Sequence, residues 1–121
     1  MKKNKRILIA EDYMDNYTLL KVQLKDCPYE LFHVKNGQEA LDKVKDNKFD
    51  LYLIDIQMPI LNGFEFIREI RKSGDKTPSI AQTARAFESD YKECLDAGFD
   101  NYISKPIDKK ILIEKIKSYF E

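Results

Sequence analysis

Short apolar runs and longer amphipathic stretches alternate along the whole chain. Residues 6–10, with Ile7-Leu8-Ile9 at their centre, read as a strand buried on both faces. The period then becomes helical over residues 14–26, with Tyr17, Leu20 and Leu24 on one side. Residues 29–34 predict a second strand. Asn36-Gly37-Gln38-Glu39 places an N-cap ahead of an acid at the third helical position, opening a helix that carries Ala40, Leu41 and Val44. Leu51-Tyr52-Leu53-Ile54 forms most of a third strand over 50–54, and a helix follows over 62–71 with Ile67 and Ile70 inward. Residues 78–82 predict a fourth strand, although Gln82 is polar where an apolar residue is easier to bury. Phe87, Tyr91, Cys94 and Leu95 fall at helical spacing, a stripe that Gly98 ends. Residues 101–104 give the last strand, and Leu112, Ile116, Tyr119 and Phe120 the last helix.

Strict strand-helix alternation implies an α/β fold, a parallel sheet with helices on both faces. In open sheets of this kind ligands bind beyond the carboxyl ends of the strands. The residues to read are therefore Glu11-Asp12, Asp55, Thr83-Ala84 and Lys105-Pro106. The second strand ends in Lys35-Asn36, which offers nothing comparable, and His33 is expected to lie far from this edge.

Composition narrows the class. A chain of 121 residues is expected to be one domain, 1–121, with 1–5 as a basic N-terminal flank. With 43% hydrophobic and 35% charged residues it reads as an ordinary globule, not a disordered chain. Lys plus Arg and Asp plus Glu are equal at 21 each, so no overall field draws in nucleic acid. The longest apolar runs are far too short for a membrane span or signal peptide. Cys27 and Cys94 lack metal-ligand spacing and suit a reducing cytoplasm.

The strand-end residues carry a chemistry. Glu11, Asp12 and Asp55 should converge, and two unit charges ~4 Å apart repel by about 4 kcal/mol at an effective dielectric near 20. A cation is therefore expected among them. Oxygen-only ligands favour Mg²⁺, with Mn²⁺ a possible substitute, over zinc. A carboxylate, a hard metal ion, the Lys105 ammonium and the Thr83 hydroxyl are the parts needed for phosphoryl transfer. Asp55, single and central, is the best nucleophile; Glu11 and Asp12 are better placed to hold the metal, and Ala84 leaves space for the incoming group.

These segments, Ile7-Leu8-Ile9-Ala10-Glu11-Asp12, Asp55-Ile56-Gln57-Met58-Pro59 with Gly63, Thr83-Ala84 and Asp100-Asn101-Tyr102-Ile103-Ser104-Lys105-Pro106, resemble a response-regulator receiver domain in order and spacing. The resemblance covers essentially the whole chain. It implies a flavodoxin-like (βα)5 fold with strand order 2-1-3-4-5. It implies Asp55 as phosphoacceptor, supplied by a histidine kinase or histidine phosphotransfer protein. Asp12, Asp55 and the Gln57 backbone carbonyl become Mg²⁺ ligands, with Glu11 acting through metal-bound water. Thr83 and Lys105 become the switch hydroxyl and the phosphate-pairing lysine. Tyr102 is the aromatic that turns inward on activation, and Lys105-Pro106 a peptide bond expected to be cis.

The same resemblance implies that Gln57 and Arg85 occupy positions that tune phosphate lifetime. The output surface implied is the fourth helix, fifth strand and fifth helix, with Phe87, Tyr91 and Ile111 or Ile113 as contacts. The expected role is a cytoplasmic phosphorelay switch that acts on proteins and assists its own phosphorylation and dephosphorylation, rather than an enzyme with a substrate, a nucleic-acid binder or a membrane protein. The texture around Glu93-Cys94-Leu95-Asp96-Ala97-Gly98 is closer to receivers of hybrid kinases than to stand-alone regulators.

Three rivals are weaker. A Mg²⁺-dependent phosphatase with an aspartyl intermediate needs a second acid two residues after the nucleophile, where Gln57 stands. A degenerate receiver acting only as a binding module would not keep every acceptor, metal and switch residue. A flavin-binding flavodoxin needs a glycine- and hydroxyl-rich turn after the first strand, where Glu11-Asp12-Tyr13-Met14 is acidic.

Overall fold

Strands and helices alternate without exception in the computed structural model, which describes residues 4–84 and 88–121. The strands are β1 (Lys5–Ala10), β2 (Tyr29–Val34), β3 (Leu51–Asp55), β4 (Ser79–Thr83) and β5 (Asn101–Ser104). The helices are α1 (Met14–Leu24), α2 (Gly37–Asp46), α3 (Gly63–Lys72), α4 (Glu88–Ala97) and α5 (Lys109–Phe120). The sheet is parallel throughout, in the order β2-β1-β3-β4-β5. Both the alternation and the strand order agree with the sequence expectations.

The continuous apolar runs arise because both sheet faces are covered. On one face Leu8, Ala10, Tyr52, Ile54 and Ala81 pack with Ala40, Phe66, Ile67, Ile70 and Cys94 from α2, α3 and α4. On the other, Ile7, Ile9, Leu51, Leu53, Ile80 and Ile103 pack with Leu20 and Leu24 of α1 and Leu112 and Ile116 of α5. Each fully buried Leu or Ile contributes about 1.5–3 kcal/mol relative to exposure. β3 is central and buried at all its positions, so the carboxylate ending it is carried on the most constrained strand.

Side-chain caps set several helix starts. Asn36 Oδ1 accepts from Glu39 N at 2.8 Å, as its sequence context predicted. Asn62 and Glu65 form a reciprocal box at the head of α3, with bonds of 2.9 and 3.0 Å. Gly98 ends α4 with φ +128°, a conformation open to glycine at no steric cost.

The stripe expected on α4 is narrower than its spacing suggested. Cys94 is buried, but Leu95, one residue and roughly 100° further round the helix, is 49% exposed. Phe87 lies outside the described residues.

At the amino ends of the strands, Arg71 joins α3 to the start of β4 and the α4–β5 turn. Its guanidinium donates to the carbonyls of Gly98 (3.0 Å), Asp75 (2.8 Å) and Thr77 (2.9 Å), to Ser79 Oγ (3.2 Å) and to Asp100 Oδ2 (3.0 Å). Beside it Tyr52 donates its phenol to Asp75 Oδ2 at 2.6 Å. Cys27 and Cys94 are both free thiols. No described helix is long and apolar enough to cross a membrane.

Candidate functional site

At the carboxyl end of the sheet a cavity of about 800 Å³ is lined by Glu11, Asp12, Asp55, Gln57, Thr83 and Lys105 among others. The strand-end residues singled out in the sequence therefore meet in one place. Asp55 is 4% exposed and Glu11 fully buried, whereas Asp12 is open to solvent. Lys105 bridges the two buried acids, with Nζ 2.9 Å from Asp55 Oδ2 and 3.2 Å from Glu11 Oε1. The Lys105-Pro106 bond is cis, as expected.

Backbone groups hold the acids in place. Gln57 N donates to Asp55 Oδ1 at 3.0 Å, and Tyr13 N to Glu11 Oε2 at 3.2 Å. Ile56 N donates to Gln82 O at 3.0 Å, fixing the chain where it leaves β3. Gly63 N donates to Ile56 O at 2.9 Å, which seats α3 directly against that turn. Thr83 is 6% exposed, at the end of β4 beside the cleft.

The charges are unbalanced. Three carboxylates face one ammonium, and Glu11 records the excess: burial, then the hydrogen bond and charge of Asp55, push its carboxyl up to about 7 against the opposing effects of Tyr13 N–H and Lys105. Burial also works against the charge of Lys105, but the hydrogen bond and charge of Asp55, with Glu11 behind, hold the ammonium above its ordinary value.

The site can hold a metal ion. Ligand oxygens of Glu11, Asp12 and Asp55 lie within 4.8 Å of one another. An all-oxygen set with excess negative charge, one member still open to water, fits a hard divalent cation of the Mg²⁺ kind.

His33 does not lie far from this edge. Its Nε2 is 2.7 Å from the Glu11 carbonyl oxygen, and its ring stacks on Tyr17 at 3.8 Å between centroids. β2 neighbours β1 in parallel register, with His33 opposite Ile9, so a side chain near its carboxyl end reaches the turn after β1. The parallel pairing of the first two strands is the signal that would have found this.

Tyr102 is half-buried and stacks on Tyr91 at 3.8 Å, with Lys115 Nζ 5.1 Å from its ring centre. Ile111 is 46% exposed and lines a surface pocket with Tyr102, whereas Ile113 is partly buried against the core. Arg85, expected to tune phosphate lifetime, lies outside the described residues, as do 1–3 of the basic flank.

Known proteins resemble this chain in sequence and fold. The response regulator receiver domain model matches residues 7–117. The polar-differentiation response regulator DivK of Brucella anthropi is 37% identical over 117 residues, covering 95% of each chain. Hybrid signal transduction histidine kinase I of Dictyostelium discoideum is 39% identical over 122 residues, covering 93% of this chain; the match spans only 7% of that kinase's length. Among solved structures, the receiver domain of the Pseudomonas aeruginosa sensor histidine kinase PA1611, described with a magnesium ion coordinated in its active-site cleft, superposes with a TM-score of 0.87 at 31% identity, over 96% of this chain and 97% of that one. On the strength of a match from residue 7 to residue 117, this chain belongs to the response regulator receiver domains of two-component signal transduction.

Proposed function

We propose that Asp55 accepts a phosphoryl group from a phosphohistidine on a histidine kinase or phosphotransfer protein. The observation that carries this reading is the pairing of Asp55 with Lys105 at 2.9 Å in a cleft that also gathers Glu11, Asp12 and Thr83. Asp55 Oδ attacks phosphorus in line, the P–N bond to the donor imidazole breaks, and the imidazole nitrogen leaves with the electron pair. Asp12, Asp55 and the Gln57 carbonyl would hold Mg²⁺, with Glu11 reaching it through water; bound there, it would neutralise phosphoryl oxygens. Lys105 then follows the charge from the Asp55 carboxylate to a phosphoryl oxygen.

The same reading makes residues 1–121 one signalling unit, a switch rather than an enzyme with a substrate. Thr83 moves toward the phosphoryl group and Tyr102 leaves its stack on Tyr91 for the space released. The altered surface of α4, β5 and α5, with Tyr91 and Ile111, meets a protein target rather than nucleic acid. Reversing a 1:99 population needs about 5.5 kcal/mol of preference for the active state. Gln57, exposed beside Asp55, and Arg85 set how readily water removes the phosphate. A kinase draws on ATP, so the reaction belongs to the cytoplasm.

Incubation with Mg²⁺ and a small acyl phosphate should add one phosphate by mass, and Asp55→Ala should add none. Retention of the adduct in that variant rejects Asp55 as acceptor.

A further inference from the structure

Glu11, Asp55, Gln82 and Lys105 stand two residues beyond Ile9, Leu53, Ile80 and Ile103, whose side chains all enter the layer of α1 and α5. Strand alternation therefore puts the four on one side of the sheet. Gln82 pairs with Asp55 across β3 and β4, and with Ile103 across β4 and β5. Its side chain thus stands between Asp55 and the strand that leads to Lys105.

That side chain is fully buried, and neither Nε2 nor Oε1 has a hydrogen-bond partner among the described residues. An unpaired buried amide carries a desolvation cost that an isosteric methionine would not. Among the described residues the one other buried side-chain atom left unpaired is Gln23 Oε1, and it belongs to the same seam, because Gln23 Nε2 donates to the Ile107 carbonyl at 2.9 Å.

A second cavity, of about 80 Å³, opens in this seam between α1 and the β5–α5 loop, lined by Asn16, Leu20, Gln82, Lys105 and Ile107 among others. Asn16, Gln82 and Lys105 also line the main cleft. A water takes about 30 Å³ of liquid volume and needs two to four polar partners. Gln82 offers a donor and an acceptor. Among the described residues Lys105 uses two of its three N–H donors, on Asp55 and Glu11, and has a third to give.

We propose that Gln82 is a positioning residue for Lys105: its buried amide, through water held between α1 and the β5–α5 loop, takes the third ammonium N–H and fixes where Lys105 stands as its partner changes from the Asp55 carboxylate to a phosphoryl oxygen. The inference rests on the reading of Asp55 as phosphoacceptor. A residue that merely filled space would be replaced by methionine or leucine with a gain in stability and no change in chemistry. A positioning residue shows the gain in stability together with a loss of rate.

The experiment measures phosphorylation by a small acyl phosphate with Mg²⁺ in the wild type, Gln82→Met, Gln82→Leu, Lys105→Met and the Gln82→Met/Lys105→Met pair, with thermal unfolding of each. The expected result is phosphorylation about tenfold slower in Gln82→Met and Gln82→Leu at equal or higher unfolding temperature, and no further loss when Gln82→Met is added to Lys105→Met. Wild-type rates in both Gln82 variants, or an undiminished further loss in the Lys105→Met background, overturn the proposal. A wild type that takes up no phosphate instead sinks the phosphoacceptor reading beneath it.

Discussion

Gly63 lies against the backbone of Asp55: a Cβ on Gly63 would come 2.6 Å from the Asp55 carbonyl oxygen and 2.9 Å from Ile56 Cα. The start of α3 and the acidic end of β3 are thus packed at a distance only glycine permits. Gly63→Ala should cost about 1–3 kcal/mol by forcing the two apart. Because the displaced backbone carries Asp55, phosphorylation should slow in the same variant. Chemical denaturation and adduct formation measure the two effects, and an unperturbed Gly63→Ala would contradict the close packing.

Lys105 is the one cation hydrogen-bonded to both Asp55 and Glu11 among the described residues. Removing it in Lys105→Met leaves two buried acids facing each other, a loss of about 2 kcal/mol after allowance for the partly exposed ammonium. Mg²⁺ should then raise the unfolding temperature more in Lys105→Met than in the wild type, since a cation binding the folded state offsets the missing charge. Equal Mg²⁺ responses would argue against a shared site.

Arg71 spends its donors mainly on backbone carbonyls at the end of the sheet remote from the cleft. Lysine cannot reproduce that fork, so Arg71→Lys should destabilise by about 2–3 kcal/mol, nearly as much as Arg71→Ala. Folded Arg71→Lys should still take phosphate at the wild-type rate. Urea melts and adduct mass separate these effects.

Ile60 has φ +71° and is 78% exposed, a β-branched residue in the left-handed region with little burial to lose. Ile60→Asn should therefore raise stability by about 1 kcal/mol. A lowered melting temperature would mean that the side chain makes up for its backbone elsewhere.

Acid should unfold the protein partly through Asp75. Burial works to raise its pKa, but hydrogen bonds from Thr77 and Tyr52, with the nearby Arg71 charge, hold it below the ordinary 3.8. A depressed folded value means the contribution is complete above about pH 4 and is lost as pH falls through that lower value. Asp75→Asn should flatten the acid limb of the stability curve. An unchanged limb would assign acid unfolding to other carboxylates.

The sequence carried most of the layout because buried strands must be continuously apolar while covering helices must be amphipathic. Leu51-Tyr52-Leu53-Ile54 and its terminal Asp55 needed no tertiary information, and neither did the convergence of Glu11, Thr83 and Lys105 at strand ends. What strand ends and periodicity do not supply is which individual side chains touch across elements. His33 reaches the Glu11 carbonyl only because β2 lies beside β1. Leu95 lies outside the buried stripe because a residue next to the stripe shares its spacing arithmetic without sharing its face. Gln82 was visible as an anomaly, but its neighbours come from α1 and the β5–α5 loop, far away in the chain.

β5 is a four-residue strand with a single hydrogen-bonded neighbour, in contrast to the central β3, which is held on both sides. Tyr102 rides on this short edge strand, and its aromatic neighbour Tyr91 belongs to a helix rather than to the ladder. The Asp55 carboxylate thus sits on a strand tied at both flanks, and the Tyr102 ring on one tied at a single flank, so the ladder constrains the first position more than the second.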